Sequence, residues 1–184
     1  LNELSGTEKY RAIFYPFHKS LIPKPQEKLY DVIYHGGVHG KEHAECLEVM
    51  RNFNYRYITM THHVNNETSK YFGYATNTDL LFAEKINFVA KTKVSVCYNI
   101  VHNLPHQVEA IKSYGDWEKN EAFSETGGWN VMPQFKTRMH EAAMSKSLNL
   151  VQRDPWNVAE MYYEPDTEFL YFDGTSATDS STNI

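Results

Sequence analysis

Cysteine is scarce in this 184-residue chain: there are two, Cys46 and Cys97. Each sits in an apolar stretch, Cys46 in a helical pattern and Cys97 in a strand pattern. That usage points to buried free thiols in a reducing compartment rather than a disulfide scaffold, with one bridge between them left open. No run of about 18 apolar residues occurs, so no helix is expected to span a membrane. No secretory leader pattern is visible. Positive charge is also short. There are 18 Lys and Arg against 23 Asp and Glu, a net charge of -5, which argues against nucleic acid as a partner bound by bulk charge. A local basic pocket for one diphosphate stays compatible with that balance. Neither a Walker A loop nor a G-x-G-x-x-G fingerprint is present, and no internal repeat is seen. The expected location is cytoplasmic. Because the chain begins at Leu1, a fragment or processed product is expected.

Apolar residues are sufficient for one domain with a core of its own. Residues 1–28 read as an entry segment or linker, broken by Pro23 and Pro25. Residues 29–173 read as the domain, and the polar tail 174–184 as disordered. Within the domain, strand patterns at "LYDVIYH", "YRYITMTH", "VSVCYNIV", "LNLVQR" and "TEFLYFD" alternate with helical ones. One helix from about Lys41 carries Ala44, Leu47 and Met50 on one face. Another carries Phe82, Ile86, Val89 and Ala90. "PHQVEAIKSY", with Pro105 suited to the first helical position, is a third, "FKTRMHEAAMSK" a fourth, and "PWNVAEMYY" a short fifth. The polar stretch "NNETSKYFGYATNTD" is expected as a loop, with room for a short helix. This order predicts an α/β fold, a Rossmann-like parallel sheet with helices on both faces. Ligands of such sheets bind beyond the carboxyl ends of the strands, so the residues after each strand hold the candidate chemistry.

The first candidate is the loop "HGGVHGKEH". Gly36, Gly37 and Gly40 let backbone approach a ligand, and Lys41 adds charge at a helix start, where a phosphate fits. A glycine-rich turn without a ligand is the plain alternative. His35, His39 and His43 in the same loop raise a zinc site, with His62 and His63 as further ligands. The stretch reads H-G-K-E-H, however, and lacks the glutamate position of H-E-x-x-H, so no metal is expected. The second candidate is residues 133–173, where Lys136, Thr137 and Arg138 begin a helix and Glu141 follows one turn later. Cations there suit a phosphate, and a carboxylate suits a ribose diol. An ordinary Arg–Glu surface pair is the alternative. Asn99, at the end of a strand, is placed to meet a ligand or to satisfy local backbone. Trp117 and Trp129 could line a sugar pocket, while Trp156 is expected to anchor its short helix.

The second stretch resembles the C-terminal, donor-binding part of two-domain (GT-B) glycosyltransferases, closest to the CgeB-like group and to the family 1–4 types. Thr137-Arg138, Glu141-Ala142-Ala143, the strand "LNLVQ", then Ala159-Glu160 through Glu164-Pro165 and "EFLYF" follow that family's order. "KTKVSVCYN" is similar to its preceding strand. The strong part of the likeness covers about 40 residues, and a weaker part extends from about residue 29. The resemblance implies a nucleotide-diphosphate sugar as donor substrate, with no metal cofactor. It implies a ribose contact for Glu141 and diphosphate contacts for Arg138 and Lys41. Two departures stand out. Many retaining relatives carry a glutamate at the position of Pro133, and Ser145 to Ser147 replace the usual small-Cys-Gly helix end. No catalytic base is assigned. The architecture also needs an N-terminal acceptor domain for which this chain has no room, so that domain is an expected partner. A non-catalytic nucleotide-binding or interaction module derived from such a half, and a metal hydrolase built on the histidine-rich loop, are the competing readings.

Overall fold

The computed structural model describes residues 17–38, 41–63, 69–102, 105–106, 108–109, 131–154 and 156–173. The main elements are β1 (Tyr30–His35), α1 (Lys41–Met50), β2 (Tyr55–Thr59), α2 (Ser69–Phe72), β3 (Asn77–Thr78), α3 (Phe82–Ala90) and β4 (Thr92–Cys97). They continue with β5 (Ile100–His102), β6 (Val131–Pro133), α4 (Thr137–Met144), β7 (Leu148–Gln152) and β8 (Phe169–Phe172). Six strands form one sheet in the order β3-β2-β1-β4-β7-β8. Every neighbouring pair in it is parallel. The chain winds outward from β1 in one direction and from β4 in the other, so the order reverses between those two strands. This is the Rossmann-like arrangement, and its crevice opens at the carboxyl ends of β1 and β4.

Strand periodicity divides the core. Val32 and Tyr34 face α1 and pack with Ala44, Leu47 and Met50. Ile33 faces the opposite way and packs with Val89 of α3 and Ala142 of α4. Further along that second face, Cys97 and Val151 pack with Met139, Ala159 and Phe169. Helices thus cover both faces, as alternating side-chain direction along a buried parallel strand requires. The α1 stripe is buried as its spacing predicts. On α3, Ile86, Val89 and Ala90 are buried, but Phe82 is exposed. It opens the helix and stacks on Phe17 instead, with ring centroids 6.2 Å apart. Both cysteines are free thiols.

β3 and the pairing of β5 with β6 escape the sequence patterns. β3 has two polar residues and exists because it pairs with Ile58 and Thr59 of β2. β5 and β6 form a separate antiparallel ribbon in which Pro133 sits opposite Ile100. The short helix near Trp156 is a 3-10 turn, Val158–Met161. It is held by Asp154, whose carboxylate accepts from the backbone N–H of Trp156 and Val158. Among the described residues no helix is long and apolar enough to cross a membrane. The tail 174–184, most of the entry segment, Trp117 and Trp129 lie outside the described residues.

Candidate functional site

β1 and β4 run side by side, and their carboxyl ends deliver His35, Gly36, Cys97 and Asn99 to one edge of the sheet. α4 lies across the second face and carries Arg138 and Glu141 toward the same place. Gly36 has φ 151, in the region glycine tolerates and L residues avoid. Its N–H donates to the carbonyl of Ile58, which fixes the turn out of the strand. The Arg138 guanidinium rests directly on it. A Cβ at position 36 would stand 2.3 Å from Nη2 and 2.8 Å from Cζ. The positive φ favours glycine here, and any side chain would also have to push the Arg138 guanidinium aside.

Arg138 also lies over the Tyr34 ring, its Cζ 4.9 Å from the centroid. The Tyr34 hydroxyl donates to the carbonyl of Gly37 at 2.6 Å, tying the glycine loop back to the strand. Part of the Arg138 side chain remains in reach of solvent, yet its Nη1 is covered and makes no hydrogen bond. Nor does Arg138 form an ion pair with any carboxylate among the described residues. Lys136 stands nearby, its ammonium donating to the side chain of Gln134. Burial and the Arg138 charge both hold the Lys136 amine below its usual range. Lys136, at the N-cap of α4, makes no side-chain cap bond, so the first N–H groups of the helix add to this positive edge.

Glu141 behaves differently. It is buried, with Oε1 2.9 Å from Lys85 Nζ of α3 and Oε2 3.1 Å from His35 Nδ1. The His35 contact is within ion-pair distance but off the line of a good hydrogen bond. His35 Nε2 meets the Ser95 hydroxyl at 3.2 Å. A neutral imidazole protonated on Nδ1 would face the carboxylate with its N–H and accept from Ser95. Burial lowers the His35 pKa, which favours that neutral form. Burial pushes the Glu141 carboxyl upward, but His35 and Lys85 outweigh it and hold the group at about 2.

The remaining sequence candidates fall as follows. Asn99 is fully buried, and its carboxamide is turned inward, accepting from the Cys97 thiol at 3.3 Å. Its carbonyl accepts from the Gln134 N–H at 2.6 Å, which anchors the approach to α4. Burial pushes the Cys97 thiol up to about 12, so it is no nucleophile at neutral pH. Thr137 is the exposed first residue of α4. Lys41 opens α1, while Gly40, His39 and the Lys41 side chain lie outside the described residues. His43 stacks on Tyr98 at 4.1 Å and meets the Tyr34 ring edge at 4.7 Å, on the opposite face of the sheet from Glu141. No group of three or more His, Cys, Asp or Glu side chains converges among the described residues. Lys85 and Ser95 carried no signal in the sequence. One reads as a polar-face helix residue and the other as an interior strand serine, and only packing joins them to Glu141.

Glu141 Oε2 is buried without a hydrogen bond, so the ribose contact implied for it would have to reach that covered oxygen between Lys85 and His35. The Arg138 edge is already positive, bordered by glycine and without a counter-ion among the described residues. No known protein family matches this chain, and no curated protein or solved structure is similar enough to establish a relative.

Proposed function

We propose that this chain is the donor-binding domain of a cytoplasmic glycosyltransferase, taking a nucleotide-diphosphate sugar at the β1/β4 crevice for transfer to an acceptor held by another domain. The observation that carries this reading is the Arg138 guanidinium. It lies against Gly36 at the switch point of the sheet, with Nη1 unbonded and no carboxylate among the described residues paired to it. A guanidinium left in that state is costly unless an anion completes it, and a diphosphate offers the oxygen geometry it recognises. Lys136 and the uncapped start of α4 reinforce the same charge preference. Gly36 and Gly37 keep backbone low where the diphosphate would lie, with Gly40 and Lys41 further along the same loop. The resemblance of residues 133–173 to GT-B donor domains supplies the nucleotide sugar.

A second reading has one specific observation behind it. Pro133 occupies the strand position where a retaining relative has a donor-sugar glutamate, and it is paired into the β5/β6 ribbon. That favours a derived, non-catalytic module. Calorimetric titration with UDP, GDP, ADP and CMP, on wild type, Arg138→Met and Glu141→Ala, separates the two. The transferase reading expects selective binding of one diphosphate, lost in Arg138→Met. Absence of binding by any of them would leave the interaction module.

A further inference from the structure

We propose that Lys85 is a positioning residue of the anion site: by holding Glu141 it keeps that carboxylate off Arg138 and leaves the guanidinium free for a phosphate-bearing ligand. The inference rests on the donor-site reading above. Arg138 and Glu141 are three residues apart on α4, a spacing at which oppositely charged side chains normally pair. They do not pair here. Glu141 Oε1 is 2.9 Å from Lys85 Nζ and Oε2 is 3.1 Å from His35 Nδ1, while Arg138 Nη1 has no hydrogen-bond partner.

The diversion is built by three separate elements. Lys85 comes from α3, His35 from the end of β1, and Ser95 of β4 steadies the far side of the imidazole. Burial lowers the His35 pKa and favours its neutral form, so Lys85, 2.9 Å from Oε1, is the permanent cation at Glu141. Without the Lys85 charge, Arg138, three residues earlier on the same helix and already interacting electrostatically with Glu141, is a cation the carboxylate can turn to. A fork-to-carboxylate pair would then cancel the positive edge and occupy the donors that an anion needs.

The test uses inorganic pyrophosphate, which has no ribose and so is blind to any nucleoside contact by Glu141. Its binding is measured by calorimetry on wild type, Lys85→Met, Glu141→Gln and the double variant. Lys85→Met is expected to weaken binding about tenfold, the scale of one charge-assisted contact. The same substitution in the Glu141→Gln background is expected to change it less than about twofold, because no carboxylate remains to be released. Equal losses in both backgrounds would show Lys85 to be merely structural and overturn the inference, as would undiminished binding by Lys85→Met. If Lys85→Met does not fold, Lys85→Gln replaces it with the same expectations. Failure of wild type to bind pyrophosphate overturns the donor-site reading and this inference together. Binding that is indifferent to Lys85 overturns this inference alone.

Discussion

A lysine–carboxylate contact lies near each end of the β1/β4 pair, within the strands at the amino end and between α3 and α4 at the carboxyl end, and the two differ in almost everything but distance. At the amino end, Lys93 Nζ meets Asp31 Oδ1 at 2.8 Å, with the side chains 59% and 41% exposed. At the carboxyl end, Lys85 Nζ meets Glu141 Oε1 at 2.9 Å, with the side chains 25% and 5% exposed. The first pair is screened by water, and Asp31 turns its other oxygen to the Asn54 N–H at 3.2 Å. The second draws in His35 and Ser95 and sits beside an arginine with an unmade hydrogen bond. Buried polar groups are tolerated where they are satisfied, and left incomplete mainly where something else completes them. The same two strands therefore end in an exposed, screened pair on one side and a buried polar cluster on the other.

The comparison breaks hardest at His35. His35→Phe keeps the volume but removes the N–H facing Glu141 and orphans the Ser95 hydroxyl. It is expected to cost roughly 2–4 kcal/mol, read from urea midpoints. The pH dependence sharpens the same point. Both folded-state pKa values at the carboxyl end lie below their ordinary ones, His35 through burial and Glu141 despite it, at about 2. Each contribution is complete above the group's ordinary value and is lost as pH falls, below about 6.5 for His35 and from about 4.5 toward 2 for Glu141. Urea midpoints at pH 7, 5 and 3 should fall stepwise, and Glu141→Gln should flatten the lower step. An unchanged lower step in that variant would show that Glu141 is not the titrating group.

Gly36→Ala combines a positive φ with a Cβ 2.3 Å from Arg138 Nη2. It should cost about 1–3 kcal/mol by denaturant melting and weaken pyrophosphate binding as the guanidinium is displaced. Asp154→Ala removes the carboxylate that accepts from Trp156 and Val158 after β7, with an expected loss of about 1 kcal/mol in the same measurement. Lys93→Met, at the exposed end, should leave the urea midpoint unmoved within error. A clear loss there would erase the contrast between the two ends.

Much of the architecture is legible in local pattern. The alternation in "YDVIYH" divides Val32 and Tyr34 from Ile33 onto opposite faces, and the stripe Ala44, Leu47, Met50 buries as spacing demands. The glycines after β1, and Arg138 and Glu141 on one helix, were visible as candidates for the site. Less legible was the end of α4. The resemblance leads one to expect a glycine there, yet Lys146 adopts φ 55 and the Ser147 N–H reaches the Ala142 carbonyl at 3.0 Å. The tertiary environment imposes a left-handed turn on a residue that does not favour it.

The sequence by itself determined the class of fold, because side-chain periods of 2 and 3.6 are set by backbone geometry and require no knowledge of what lies opposite. It also determined which residue types stand after each strand. Only the tertiary structure decided what those residues do. β3 is two polar residues that become a strand because β2 offers an open edge. Glu141 chose a lysine 56 positions earlier over an arginine three positions earlier. That choice depends on which side chains share a buried space when α3, β1 and α4 close around it, and distance along the chain carries no record of it.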